Sequence, residues 1–219
     1  MPHQNIKVAL IGNPNTGKTS VFNQLTGLNQ QVGNYPGITV DKKQGSFHLK
    51  NGKKVNVVDL PGTYSLNPSS LDESVATEFL LHPENKDFPD VLVVVAEVEN
   101  LKRNLLLFTQ VKDLGLPTIL VINMADRMTL KGISIDIALL EQRLDTKVIL
   151  TSTRKNSGFP ELKSAIENFG NLSAKMLFSS DASAYKKWLL DTYKIGFQEI
   201  EDKQKQITVK KEQHQETVK

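Results

Sequence analysis

Gly12-Asn13-Pro14-Asn15-Thr16-Gly17-Lys18-Thr19 decides how this chain folds. An apolar run, Val8-Ala9-Leu10-Ile11, leads into it. Val21, Phe22, Leu25 and Leu28, spaced for one face of a helix, lead out. Strand, glycine loop and helix in that order match the phosphate-binding pattern G-x-x-x-x-G-K-[ST] in the context that gives the pattern meaning. The loop's N–H groups and the positive end of the helix together form a nest for an anion. Gly12, Asn13, Pro14, Asn15, Thr16, Gly17, Lys18, Thr19 and Ser20 are the phosphate-binding candidates. Lys18 is expected to reach the β- and γ-phosphates, and the Thr19 hydroxyl to ligate Mg²⁺.

Downstream, residues 29–43 are too rich in Gly, Pro and Asn for a helix and read as a mobile loop. Asn51-Gly52, between Ser46-Phe47-His48-Leu49 and Val55-Asn56-Val57-Val58, predicts a hairpin and so one antiparallel strand at the sheet edge. The second arm delivers Asp59-Leu60-Pro61-Gly62. A carboxylate at the end of a core strand, followed by a glycine turn, is the pattern of an aspartate that holds Mg²⁺, with the glycine N–H near the γ-phosphate. A short helix over 72–81 follows, in a segment placed to rearrange on hydrolysis. Strands at 91–96, 118–122 and 147–150 then alternate with helices over 101–114, 136–144 and 160–169. Such alternation predicts an α/β fold of the P-loop NTPase type, with a mostly parallel six-stranded sheet and ligands at the carboxyl ends of the strands.

Two further strand ends identify the base. Asn123-Met124-Ala125-Asp126 offers Asp126, whose carboxylate accepts from both N1–H and the exocyclic amine of guanine, a donor pair that adenine lacks. Asn123 can bond the base edge and tie its loop back to the phosphate loop. Met124 stands where a lysine is usual and supplies only the apolar part of the stacking contact. Thr151-Ser152-Thr153 places backbone N–H groups toward the guanine oxygen. Phosphate loop, Asp-x-x-Gly, Asn-x-x-Asp and Thr-Ser-Thr, each after its own strand, specify a guanine-nucleotide-binding domain over 1–170.

Composition narrows the setting. With 219 residues and 39% hydrophobic content, the chain supports one core and a small appendage. No segment has the roughly 20 apolar residues that span a bilayer, and Met1-Pro2-His3-Gln4-Asn5 does not read as a signal peptide. The absence of cysteine excludes disulfides and thiolate metal sites. A net charge of +3 from 27 basic and 24 acidic residues demands no nucleic-acid partner, and none is expected. The four histidines show no ligand spacing.

Beyond a generic G domain, the phosphate loop, Val32-Gly33-Asn34-Tyr35-Pro36-Gly37-Ile38-Thr39-Val40, Asp59-Leu60-Pro61-Gly62-Thr63-Tyr64-Ser65-Leu66 and Asn100-Leu101-Lys102-Arg103-Asn104 resemble the N-terminal cytosolic domain of the bacterial ferrous-iron transporter family FeoB. The likeness covers about residues 5–170. It implies GTP hydrolysis, a following helical domain, and a membrane domain that carries Fe²⁺ at the bacterial inner membrane. It casts Thr39, preceded by Gly37 and Ile38, as the switch I threonine whose hydroxyl joins Thr19 and Asp59 on Mg²⁺. Gly62 through the Asp72-Glu73 helix becomes switch II. Asn15, Lys18, Thr39 and Gly62 are then the catalytic candidates.

Thr63 stands where Ras-type proteins carry a water-positioning glutamine, so slow turnover is expected, roughly 10⁻⁴–10⁻³ per second. Asn15 resembles the asparagine of potassium-stimulated G proteins, which helps hold K⁺ against the phosphates. Its alternative role is a local Asx-type turn. Residues 171–219 predict a partial helical domain, with Trp188, Leu189, Tyr193, Phe197 and Ile200 on one helical face. The chain reads as a fragment of a transporter, with a free-standing protein as the alternative. Self-association into a homo-oligomer stays open. Competing functions are a ribosome-assembly or RNA-modification GTPase, which would add an RNA-binding module, and a nucleotide-driven switch without appreciable turnover.

Overall fold

A computed structural model describes residues 5–27, 30–34, 41–68, 70–181, 183–184 and 187. Its elements run β1 (Ile6–Gly12), α1 (Lys18–Thr26), β2 (Gln30–Asn34), β3 (Asp41–His48), β4 (Lys54–Asp59), α2 (Leu71–Leu81), β5 (Val91–Glu97), α3 (Leu101–Lys112), β6 (Thr118–Asn123), α4 (Arg127–Lys131), α5 (Ile137–Leu144), β7 (Lys147–Leu150) and α6 (Phe159–Glu167). Seven strands form one sheet in the order β2-β3-β4-β1-β5-β6-β7. Only β3 runs against the others, pairing antiparallel with both β2 and β4.

The sheet therefore has seven strands rather than the expected six, and its single reversed strand lies one place in from the edge. The seventh is β2, drawn from the stretch expected to be a loop. Gln30–Asn34 has no alternating apolar pattern and owes its conformation to the unpaired edge of β3. The hairpin at Asn51-Gly52 forms as its turn chemistry dictates, with Gly52 at φ 82. The expected helical face from Trp188 to Ile200 lies outside the described residues.

Central strands β1, β5 and β6 read as continuous apolar runs because both faces are covered. Ala9 and Ile11 point into one core with Phe79, Phe108 and Leu120. Val8 and Leu10 point into the other with Phe22, Val57 and Leu162. Each fully buried Val, Leu or Phe contributes about 1.5–3 kcal/mol, so the sheet is a rigid platform. Its strand ends hold the loops of interest. The chain leaving α6 is fastened to the end of α3: the Asp113 carboxylate accepts backbone N–H groups from Leu177, Phe178 and Ser179 at 2.6–3.1 Å.

Candidate nucleotide-binding site

The phosphate loop spans the gap between β1 and α1. Gly17 takes φ 78, and a side chain there would collide with the Asn123 amide, so glycine is required on both counts. Thr16 closes the loop through its N–H (3.4 Å) and hydroxyl (2.9 Å), both donating to the Asn13 carbonyl. Asn15 is exposed at φ 67, a left-handed conformation that asparagine tolerates better than most residues. Pro14 is half-buried beside it, and Ser20 is exposed on the first turn of α1.

Asp59 ends β4 at 5% exposure, and two loop side chains converge on it. Lys18 forms an ion pair with one carboxylate oxygen; the Thr19 hydroxyl donates to the other at 3.1 Å. A hydroxyl and a carboxylate so close are hard oxygen donors of the type Mg²⁺ selects, and Mg²⁺ is commonly held by one or two carboxylates plus substrate phosphates. The donor set fits that ion. Among the described residues, no group of three His, Asp or Glu could hold a metal.

Leu60 is buried, and Pro61 and Gly62 follow it along the loop's flank. Gly62 runs so close that a Cβ on it would meet Pro14 at 3.3 Å. These residues, with Lys18 and Asp59, line a cavity of about 500 Å³. Thr63 donates its N–H to the Gly12 carbonyl (3.1 Å) and its hydroxyl to Ser65 (2.7 Å), so its side chain is tied within its own turn. Gln110 of α3 accepts from the Ser65 hydroxyl and the Leu66 N–H, bracing the segment. Gly37, Ile38 and Thr39 lie outside the described residues.

At the other end of the loop, Asn123 is 1% exposed. Its side-chain amide donates to the Thr16 carbonyl (3.1 Å) and accepts from the Thr151 hydroxyl (3.2 Å). One residue thus joins the phosphate loop, β6 and the turn after β7. Met124 takes φ 62, and its methyl lies beside Gly17. The Ser152 hydroxyl donates to Asp126 at 2.6 Å and holds its carboxyl below the ordinary range; burial opposes the shift, and the Arg154 and Lys155 charges add to it. Thr153 continues the turn, half-buried.

Two features escaped the sequence reading. Lys43 sits directly opposite Asp59 in the β3–β4 pairing and lines the phosphate cavity; the hairpin register alone could have placed it. The Thr151 and Ser152 side chains orient Asn123 and Asp126, whereas only their backbone was expected to act. One group stands out energetically. The Asn13 amide is 2% exposed, and neither its nitrogen nor its oxygen has a partner among the described residues. Each such buried unsatisfied group costs about 1–3 kcal/mol.

Residues 6–166 match the family model described as ferrous iron transport protein B. The chain is 42% identical over 168 residues to the Fe²⁺ transporter FeoB of Escherichia coli K12, covering 75% of this chain and 21% of that protein. A Porphyromonas gingivalis fusion of Fe²⁺ transport protein A and FeoB is 43% identical over 157 residues, covering 72% of this chain and 18% of that protein. The chain thus spans about a fifth of these relatives' length. The crystal structure of the Thermotoga maritima FeoB G domain superposes with a TM-score of 0.69 at 39% identity, covering 77% of this chain and all of that one. The T. maritima cytosolic domain in its GMPPNP form gives 0.73 at 39% identity, covering 80% and 68%. Motifs, sheet and matches converge: the chain belongs to the ferrous iron transport protein B family, through that family's G domain.

Proposed function

We propose that this chain binds and hydrolyses GTP as the regulatory domain of a ferrous-iron uptake transporter, at the cytoplasmic face of the bacterial inner membrane. The observation that carries the reading is the joined pair of sites. Asp126 is ionised and oriented by Ser152, while Asn123 ties its loop to the phosphate loop that bears Lys18. Relatives solved in GDP and GMPPNP forms support the same ligand class.

In this reading Asp126 accepts from guanine N1–H and the 2-amino group, and Met124 covers the base. Of the turn Thr151-Ser152-Thr153, only Thr153 is left to present an N–H group to the guanine oxygen, because the Thr151 and Ser152 N–H groups, expected to do so, are given to the Ile122 and Ser157 carbonyls. Gly12 to Ser20 cradle the phosphates, and Lys18 neutralises charge that builds as the β–γ bridging bond breaks and water oxygen bonds the γ-phosphorus. Thr19, Asp59 and Thr39 would hold Mg²⁺, which neutralises phosphate charge when bound. Gly62 and Thr39, with Gly37 and Ile38 before it, form the switch contacts. Thr63, tied to Ser65, orients no water, which supports slow intrinsic turnover. Asn15, exposed at the cavity lip, offers a neutral amide oxygen suited to K⁺. The output passes to the transporter's own membrane domain, with self-association a further proposal. Residues 1–170 are assigned to the G domain and 171–219 to part of a helical domain.

The test is GTP turnover with Mg²⁺ in KCl and in NaCl, for the parent and Asn15→Ala. Parent turnover of roughly 10⁻⁴–10⁻³ per second in NaCl, faster in KCl, with the variant equal in both salts, is the expected result. Equal parent rates in both salts would remove K⁺ from the reading, and undetectable GTP binding would remove the reading itself.

A further inference from the structure

Lys42 and Lys43 are neighbours in β3 that face opposite sides of the sheet. The Lys42 ammonium pairs with Asp87 at 2.7 Å, and Gln44, on the same side, donates to that carboxylate at 3.0 Å. Lys43 stands directly opposite Asp59, as Gly45 stands opposite Val57 and Phe47 opposite Val55. Side chains paired in this way share one face of the sheet. Phe47, Val55 and Val57 lie in the core with Val21, Phe22 and Leu25 of α1. The row therefore runs from beneath α1 to the carboxyl end of β4, where its apolar side chains give way to Lys43 and Asp59.

Lys43 is half-buried and lines the phosphate cavity, yet its ammonium enters no ion pair or side-chain hydrogen bond among the described residues. Asp59, opposite it, is committed elsewhere: one carboxylate oxygen holds Lys18 and the other takes the Thr19 hydroxyl. The charged side chains lining the cavity are Lys18, Lys43 and Asp59, so among the described residues two cations face one anion there. An electropositive concavity draws in an anion. Its wall runs through Asp59, Leu60, Pro61 and Gly62, the segment assigned to Mg²⁺ and the γ-phosphate, whereas Asn123 and Asp126 lie outside it. We infer that Lys43 is a further substrate-binding residue: its ammonium bonds the terminal phosphate oxygens of GTP, as a second fixed cation beside Lys18. Such charge-assisted bonds are about twice as strong as neutral ones. GDP lacks the terminal group, so Lys43 separates triphosphate from diphosphate. This assignment rests on the GTP reading of the cleft.

Lys43→Met keeps an unbranched apolar stem and removes the charge, Lys43→Arg keeps a charge, and Lys42→Met removes the neighbouring charge from the other face. GMPPNP and GDP affinities with Mg²⁺ are titrated for each in the 219-residue chain. Lys43→Met should lower GMPPNP affinity about tenfold or more, the scale of one lost bond to a charged group, with GDP affinity within about threefold of the parent's. Raising NaCl should weaken GMPPNP binding less steeply in that variant than in the parent, because one screened attraction is gone. Lys43→Arg should keep most of the parent's preference for the triphosphate. Lys42→Met should lower stability, through the lost Asp87 pair, and leave the ratio of the two affinities unchanged. Equal losses for both nucleotides in Lys43→Met, or none, overturn the inference. So does a gain in Mg²⁺ affinity with the ratio unchanged, since the ammonium would then answer Asp59 and not the nucleotide. If Lys43→Met fails to fold, the same ratio in Lys43→Gln decides. A parent that binds neither nucleotide defeats the GTP reading, whereas normal parent binding with an unchanged ratio in the variant defeats only the inference.

Discussion

The two ends of the nucleotide cleft are built on opposite terms. At the base end, Asn123 is bonded to Thr16 and Thr151, Asp126 to Ser152, and the turn after β7 closes on itself between Ser152 and Ser157. At the phosphate end, Lys18 and Thr19 share one carboxylate, and Asn13 has no partner among the described residues. Reading a base requires donors and acceptors fixed in advance, because specificity comes from what a wrong base leaves unpaired. Sensing a γ-phosphate requires groups that exchange partners between two arrangements. In the proposed reading, hydrogen bonds are concentrated where recognition is static, and the unsatisfied amide sits where the phosphate is sensed.

The strongest way to break the static end is Asp126→Asn. If Asp126 reads the base as proposed, the new amide donates where guanine also donates, leaving both groups unpaired. Guanine-nucleotide affinity should fall by about 10³-fold or more. Affinity for xanthine nucleotides, which present a carbonyl at C2, should rise above the parent's. Titration with fluorescent GDP and its xanthine counterpart reads both. Retained guanine affinity would mean that Asp126 does not read the base.

Asn123→Ala attacks the tie between the two ends and should have the next largest effect. It strips partners from the Thr151 hydroxyl and the Thr16 carbonyl, so stability should fall by about 1–3 kcal/mol in denaturant unfolding. GDP and GMPPNP affinities should fall together, by about 10–100-fold. A split at Asn123 would show that the base end also changes with the phosphate state.

Most of this division was legible in sequence because each motif is local to the chain. Gly17-Lys18-Thr19, Asp59 and Asn123 announce themselves by spacing and by the apolar strand before each. What was not legible depends on pairing at a distance. β2 follows from the open edge of β3, not from Gln30–Asn34 itself, and Lys43 enters the cavity through its register opposite Asp59. The Asn13 deficit is likewise invisible in sequence, since an asparagine in a glycine loop looks like turn chemistry until its surroundings are known.

The smallest expected effect lies in pH. The Ser152 hydroxyl is the main cause holding the Asp126 carboxyl below its usual range. In the proposed reading, nucleotide binding needs that carboxylate ionised. A group with a depressed pKa keeps its charged form, and the binding that depends on it, until pH falls through the depressed value. Parent affinity for GDP should therefore persist as pH falls into the ordinary carboxylate range. Ser152→Ala removes the main downward cause and leaves the Arg154 and Lys155 charges in place. The acid limb of GDP affinity should move to higher pH, with affinity at pH 7 reduced only severalfold. An unchanged acid limb, with the loss uniform across pH, would show that Ser152 orients Asp126 without tuning it, leaving the base end fixed by geometry alone.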